Sequence, residues 1–262
     1  MVNSTANQLP TDVQFEKQLG QLTTWVRLMR QAGLPIEKAL QMPIDDPDMR
    51  KRLVRFWNSG GYEPTVPHKR AREIMGKNFF GIEEAMKHFS VNPSMAQLTT
   101  LADIPFNITT IESCRGTHVL VAVFPLSLLD VHSKVNSELF CDQPWYNNES
   151  FAKDHGDVSW KLVRKTPVED STNKTCDEQQ ALLAKNEGMS TIRVMVYTII
   201  GHFLATGERL FERTYVRCSD VDSDGVRGSV GKFGVDGLSI ISHCWDDYRN
   251  YCVGIASTRK SD

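Results

Sequence analysis

The first part of the chain carries a helical spacing of apolar residues. Between residues 13 and 30 these residues recur at steps of three and four, which places them on one face of a helix. Gly33 ends this helix, and further helices are predicted at residues 36–42 and at 46–58, where Asp46-Pro47 is a typical helix start. Residues 1–61 are therefore predicted to form a helical N-terminal segment.

The next segment reads as a boundary. Residues 62–69 contain Pro64 and Pro67, and proline removes backbone donors and resists helix, so this stretch is predicted to be a linker. A helix is predicted at residues 82–89. Residues 62–116 are accordingly predicted to be a linker with helices.

After residue 116 the pattern turns to short strands. Residues 118–124 form a nearly all-apolar run bounded by Gly116 and Pro125, which is typical of a buried strand. Further strands are predicted at 160–164, 209–217, 229–233, 237–241 and 253–256, and helices at 126–135, 178–185 and 191–206. The order predicts an α+β fold whose domain at 117–262 ends in a small antiparallel sheet.

Composition indicates which kinds of partner and which cellular compartment to expect. The formal net charge of -2 gives no basic face for a phosphate backbone, so nucleic acid is not an expected partner. No apolar run approaches the length of a membrane span, and no signal peptide is recognisable at the start. Six cysteines without a CxxC pair are typical of free thiols, so we expect a soluble, cytoplasmic protein.

One acidic turn resembles half of a calcium loop. Asp220, Asp222 and Asp224 alternate before Gly225, as the first ligands of such a loop do. The twelfth position is Gly231 and not a bidentate glutamate, so an acidic hairpin turn is the favoured interpretation. No cofactor is expected, and calcium stays a weak candidate at the three aspartates.

Signals for catalysis are weak in this sequence. The seven histidines show no HxH or HxxxH spacing, and the phosphate-binding and serine-nucleophile motifs do not occur. His243 and Cys244 are neighbours, but adjacent side chains on a strand point to opposite faces. We therefore predict that the protein is not an enzyme and has no catalytic residues.

The composition of residues 233–258 is unusual. The stretch contains no Lys, Glu, Gln or Met, and its polar centre at 242–252 is rich in Tyr, Asn, Asp, Arg, Ser and Cys. Tyrosine offers a large contact area at a small entropic cost, and asparagine offers adaptable hydrogen bonds. This pattern favours a recognition surface over an ordinary loop.

The same region resembles a known family, the variable proteins of diversity-generating retroelements. The motifs that carry the resemblance are Val230-Gly-x-Phe233, Gly237-Leu-x-Ile240, Trp245-Asp-Asp247 and Gly254-Ile-Ala-Ser-x-Arg-Lys260. Segments 74–84, 117–125 and 196–202 are similar to such proteins as well, so the resemblance runs from about Arg70 to the end. It implies a C-type lectin fold of the formylglycine-generating-enzyme type, with a variable region at about 230–258.

The resemblance also implies a way in which the region changes. In that family a reverse transcriptase copies a template with errors at adenines, so asparagine codons become a spread of other codons. Randomising the first two bases of AAC or AAT never yields Lys, Glu, Gln, Met or Trp. Residues 233–258 obey this restriction everywhere except at Trp245, which is therefore expected to be a fixed scaffold residue packed under the loop.

The resemblance implies two sets of residues, a fixed scaffold and a variable ligand-facing set. The expected scaffold comprises Trp245 and Gly254, together with a sheet built from Val230, Phe233, Leu238, Ile240, Val253 and Ile255. The expected ligand-facing residues are Ser239, Ile241, Ser242, His243, Cys244, Asp246, Asp247, Tyr248, Arg249, Asn250, Tyr251 and Cys252. Strand alternation should turn some of them inward. The expected ligand is a macromolecule, with protein the leading class.

Two alternatives stay open. A metal-dependent protein or enzyme on the same kind of fold is suggested by the acidic turn and by two cysteines near one histidine. A plain interaction module acting through the N-terminal helices is suggested by a basic face on the third helix.

Overall fold

The computed structural model describes residues 12–58, 61–242 and 245–262 of the chain, with backbone alone for 12–15, 55 and 58. The chain divides into two compact units, one ending at Gly61 and one running from Tyr62 to Asp262. Each unit is described by itself.

The described residues of the N-terminal unit form three helices. They are α1 (Asp12–Gln31), α2 (Ile36–Asp45) and α3 (Pro47–Asn58). The carboxylate of Asp46 accepts hydrogen bonds from the backbone N–H groups of Asp48 (2.8 Å) and Met49 (3.1 Å), which caps α3. The prediction of three helices is confirmed, although α2 continues past residue 42.

The predicted linker at 62–69 is wrong in its second half. Helix α4 (Val66–Met75) begins there, and the hydroxyl of Thr65 caps it by accepting from the backbone N–H of His68 at 3.4 Å. Pro67 lies in the first turn, where a helix has no use for the missing N–H. Pro67 therefore marks the start of a helix and does not break one.

Residues 62–116 belong to the same compact unit as the rest of the C-terminal part. Strand β1 (Phe79–Phe80) pairs in parallel with β2 (His118–Val123), and the ring of Phe80 packs edge-on against Tyr197 at 6.0 Å between centroids. The segment thus contributes to one core and is not a separate linker region.

The elements of this unit alternate along the chain. The helices are α4, α5 (Ile82–Phe89), α6 (Met95–Thr100), α7 (Ile108–Cys114), α8 (Leu128–Lys134), α9 (Ser150–Lys153), α10 (Cys176–Gln180) and α11 (Ile192–Thr206). The strands are β1, β2 (His118–Val123), β3 (Ser159–Arg164), β4 (Glu187–Met189), β5 (Tyr215–Val221), β6 (Arg227–Gly234), β7 (Gly237–Ile241), β8 (Val253–Ile255) and β9 (Ser257–Arg259). The mixed α+β class is confirmed.

The strands form two sheets, and both are mixed. One has the order β1-β2-β3-β9-β4 and the other the order β7-β6-β5-β8. In the second sheet β5 pairs antiparallel with β6 but parallel with β8. The prediction of a small antiparallel sheet is therefore wrong for its last strand, because the chain crosses from one edge of the sheet to the other between β7 and β8.

Helix α11 forms the centre of the core. Its residues from Ile192 to His202 are all buried. The carboxylate of Asp220 accepts from the N–H of Ile192 at 2.6 Å, and Gly207 ends the helix in a left-handed conformation with φ 74. None of the helices in the described part of the chain is long and apolar enough to cross a membrane.

Candidate ligand-binding surface

The segment 242–252 connects the two edges of the four-stranded sheet. It leaves β7 after Ile241 and returns at Val253, where β8 lies beside β5. The six residues expected to form the scaffold are all buried, namely Val230, Phe233, Leu238, Ile240, Val253 and Ile255. The sheet beneath the segment is thus an apolar platform.

A buried arginine holds the connecting segment from below. Arg217 on β5 is fully buried, and its guanidinium donates to the backbone carbonyl oxygens of Trp245 (3.2 Å) and Tyr248. The same group donates to the carbonyl of Lys174 at 3.1 Å and to the side-chain oxygen of Gln179 at 2.9 Å. A planar guanidinium can serve several acceptors at once, so one side chain fixes two points of the segment.

Other framework groups hold the segment through its main chain as well. The carbonyl of Asp246 accepts from the N–H of Cys176 at 2.7 Å, and the carbonyl of Asn250 accepts from the N–H of Asn173 at 2.9 Å. The carbonyl of Cys252 accepts from the N–H that begins β5, again at 2.7 Å. The path of the segment is therefore set by contacts to atoms that every residue type possesses.

The side chains of the segment point away from this framework. Tyr251 is 79% exposed and Tyr248 is 48% exposed, and the side chain of Arg249 is 51% exposed. Asp246, Asp247 and Cys252 are exposed too, while Ser242 and Asn250 are half-buried. Aromatic and arginine side chains in this setting are the groups that dominate affinity in protein interfaces.

Five of the expected site and scaffold residues differ from the expectation or lie outside the description. Trp245 is 58% exposed and does not pack under the loop, because Arg217 occupies the space beneath its backbone. Ser239 and Ile241 are buried, although they lie on the opposite face of strand β7 from the core residues Leu238 and Ile240; Ile241 packs against Val253 and Tyr215. His243 and Cys244 lie outside the described residues.

Two ion pairs join the segment to its surroundings. Arg227 lies 3.0 Å from the carboxylate of Asp246, and Arg249 lies 2.6 Å from that of Glu178. The hydrogen bond from Arg249 lowers the pKa of Glu178. Both pairs are open to solvent, and exposed pairs of this kind contribute little to stability.

A small cleft opens beside the segment. Its volume is about 220 Å³, and it is lined by Tyr215, Lys232, Ile241, Tyr248, Asn250, Cys252 and Val253. The ammonium group of Lys232 lies 5.3 Å from the centre of the Tyr215 ring. Tyr215 and Lys232 lie before the polar stretch at 242–252 in sequence, so composition gave no signal for them.

Gly254 is required by close packing. A β-carbon at this position would lie 2.6 Å from Pro167 and 2.7 Å from the hydroxyl of Ser171. The expected scaffold role of Gly254 thus has a physical basis in the close approach of the segment around residue 170.

The acidic turn does not form a cation site. Asp220 caps α11, and the carboxylate of Asp222 accepts from the N–H groups of Asp224 (3.0 Å) and Val226 (2.8 Å). Within residues 12–58, 61–242 and 245–262, no three His, Cys, Asp or Glu side chains gather as a metal site would need. The weak calcium candidate is replaced by an Asx turn.

A second polar cluster, missed by the sequence reasoning, lies on the five-stranded sheet. The imidazole of His118 is 3.6 Å from the carboxylate of Glu187, and both side chains are buried. Burial raises the pKa of Cys114, but the hydrogen bond and the charge of His118, together with Ser113 and Arg259, outweigh burial and lower the pKa of this thiol. The thiol is itself buried, so the cluster is a structural ion network of the core.

The fold defines an α+β protein of two compact units. No family model, no curated protein and no solved structure matches the chain.

Proposed function

We propose that the protein is a ligand-binding display protein whose C-terminal surface is diversified by a retroelement. The displayed surface comprises Ser242 and residues 245–252, with the cleft beside Tyr215 and Lys232 at its margin. Cys244 and His243 complete the displayed set in sequence.

The observation that carries the proposal is how the segment is held. Arg217 and three framework N–H groups bind its backbone carbonyls, while Tyr248, Arg249 and Tyr251 project outward. A carbonyl is common to all twenty residue types, so substitution of the side chains leaves these hydrogen bonds intact. Such a segment can change its recognition chemistry at little cost in folding free energy.

The shape of the surface favours a macromolecular ligand. The cleft of about 220 Å³ is smaller than the roughly 300–1,000 Å³ of typical small-molecule sites. The exposed tyrosines and Arg249 instead form a protruding surface of the composition found in protein interfaces. A folded protein is therefore the proposed class of ligand.

Diversification is supported by the motifs around the segment and by the restricted residue types within it. Trp245 remains the exception to the codon rule, and its exposure gives it a place on the displayed surface. A fixed aromatic beside variable positions supplies contact area for any ligand.

The genomic test looks for the machinery. We expect a reverse-transcriptase gene near the gene of this protein and a near-copy of its last hundred or so bases, differing at adenines. Sibling genes should differ mainly within residues 239–252. Absence of both the reverse transcriptase and the near-copy contradicts the diversification.

The biochemical test separates display from diversification. Asp246, Asp247, Tyr248, Arg249, Tyr251 and Cys252 are randomised together in a surface-display library, and the pool is selected against hen lysozyme as the probe. We expect most of the pool to fold and selection to yield binders. A matched library at Val253 and Ile255, which are buried, should lose folding. Equal loss of folding in both libraries contradicts the display role.

A metal-dependent or enzymatic function on the same kind of fold remains the alternative. It now depends on His243, Cys244 and Cys252, because the carboxylates of Asp220 and Asp222 accept hydrogen bonds from backbone N–H groups. Metal analysis of the purified protein decides it, since a stoichiometric tightly bound ion would favour this alternative.

A further inference from the structure

The three N-terminal helices leave most of their large apolar side chains uncovered. Among the described side chains of α1, α2 and α3, Ile36 is the single buried one. Eleven large apolar residues are exposed: Leu19, Leu22, Leu28, Leu34, Leu40, Met42, Ile44, Leu53, Val54, Phe56 and Trp57. A soluble helical unit normally buries one face of each helix, whereas these side chains are not buried within this unit.

The exposed apolar side chains of the N-terminal unit add up to a large area. The eleven exposed fractions lie between 36% and 67%. At roughly 150–200 Å² for each large apolar side chain, they leave on the order of 900 Å² of apolar surface open to solvent, spread over the three helices and Leu34. A stable interface needs about 800 Å² from each partner, so a contact through α1 must include apolar side chains beyond Leu19 and Leu22.

Helix α1 has the residue spacing of a coiled-coil seam. Leu19, Leu22, Val26 and Met29 follow one another at steps of three, four and three. Val26 and Met29 are half-buried, but Leu19 and Leu22 are 47% and 55% exposed. The first half of the seam is therefore open in a single chain.

The charges beside the seam suit a second copy of the same helix. Gln18, Thr23 and Trp25 are uncharged at the positions that flank the seam, so two copies meet without like-charge repulsion. Glu16 and Arg30 flank its two ends with opposite sign. In an antiparallel pair centred near Thr23, Glu16 of each copy lies opposite Arg30 of the other.

We propose that the protein self-associates through α1, with the helices of two copies packed antiparallel along Leu19, Leu22, Val26 and Met29. A two-fold axis places the same surface on both sides of the contact and closes the assembly at two chains. The pairing covers the exposed seam.

The test measures the mass of the full chain in solution. Sedimentation equilibrium at about 1–100 µM, where an interface of modest affinity associates, should give twice the 29.6 kDa of one chain. The variant Leu19→Glu/Leu22→Glu should sediment as a single chain. The control Gln21→Glu/Thr24→Glu introduces the same charges at the same spacing on the opposite face of α1 and should keep the doubled mass. Far-ultraviolet circular dichroism checks that both variants keep their helices.

The charge arrangement tests the antiparallel direction. Glu16→Lys should weaken self-association about tenfold, because two rim ion pairs become two repulsions. Adding Arg30→Glu to that variant should restore the original dissociation constant.

Three outcomes overturn the proposal. One is a single-chain mass of the unaltered protein across the whole concentration range, which would leave the apolar surface to another protein. Another is an unchanged mass of Leu19→Glu/Leu22→Glu, and a third is an equal effect of the control variant. Failure of Arg30→Glu to restore association refutes the antiparallel pairing.

Discussion

Removal of the Arg217 guanidinium should release the displayed segment and lower the stability of the C-terminal unit. Arg217→Met keeps the length of the stem but loses four donor contacts, two of them to carbonyls of Trp245 and Tyr248. A hydrogen bond to a charged group contributes about 1.5–3 kcal/mol, but partial relaxation and water entry make such losses less than additive. We expect a loss of about 3–5 kcal/mol, as for a broken buried ionic contact. That corresponds to a fall in Tm of roughly 6–20 °C for a unit of this size.

The assay needs both a global and a local readout. Denaturant unfolding gives the free energy of unfolding, and hydrogen exchange with mass spectrometry follows peptides within residues 240–256. Exchange there should accelerate by at least about tenfold, which corresponds to 1.4 kcal/mol of local opening. Arg217→Lys keeps the charge but cannot reach both sides of the contact, so it should fall between Arg217→Met and the unaltered protein.

A surface arginine on the same sheet provides the control. Arg227 pairs with the side chain of Asp246 at a partly exposed site, so Arg227→Met should cost less than about 1 kcal/mol. The reasoning is refuted if Arg227→Met matches Arg217→Met in stability loss. It is also refuted if Arg217→Met leaves the exchange rate of the peptides within residues 240–256 unchanged.

Two further predictions concern the surroundings of the segment and the core. Gly254→Ala should destabilise the protein by about 1–3 kcal/mol in denaturant unfolding, because the added carbon would lie 2.6 Å from Pro167 and 2.7 Å from the hydroxyl of Ser171. The control Gly116→Ala should change stability little, since an added carbon there meets no atom within 4 Å. The ion pair from Lys77 lowers the pKa of Glu208 to about 2, although burial opposes the shift, so this carboxylate stabilises the fold above its unfolded pKa of about 4.5 and loses that effect as pH falls towards 2. Glu208→Gln should therefore lower the free energy of unfolding by about 1 kcal/mol at pH 7, after allowance for solvent screening. The difference in stability between the variant and the unaltered protein should shrink below pH 4. A difference that does not depend on pH would contradict the argument.

Elements with strong local signals were predictable from the sequence. Helix α5 at residues 82–89 and strand β7 at 237–241 have the predicted bounds. Each begins at or directly after a glycine, with a clear period of apolar residues in the helix and a compact apolar run in the strand. Local spacing was sufficient because neighbours along the chain set these elements.

Pairing across long distances was not predictable in the same way. Strand β8 was expected to extend an antiparallel sheet, yet it lies parallel to β5. Its neighbour is decided by where the segment at 242–252 crosses the sheet, and that path depends on Arg217. An arginine within a strand reads as a solvent-facing charge in one sequence, so its burial gave no signal.

Which side chains around residues 239–252 are buried could be predicted only in part from the sequence. Composition predicted that residues 242–252 form a recognition surface, and the side chains described there are exposed or half-buried. It could not show that Ser239 and Ile241 are buried, because both faces of strand β7 are covered and one sequence does not reveal what covers them. Trp245 was predicted to pack under the loop because it breaks the codon restriction, but that restriction carries no information about burial, and the guanidinium of Arg217 lies against its backbone carbonyl.

The contacts of Arg217 and the apolar seam of α1 imply different tolerances to sequence change in the two units. In the C-terminal unit the segment at 245–252 is bound through main-chain carbonyls, so its side chains are constrained chiefly by the two ion pairs of Asp246 and Arg249. In α1 the proposed contact consists of side chains, so a polar residue at Leu19 or Leu22 removes it directly. A protein that must vary its recognition surface while keeping its assembly state needs this arrangement, because mutations directed to one segment then leave the other contact unchanged.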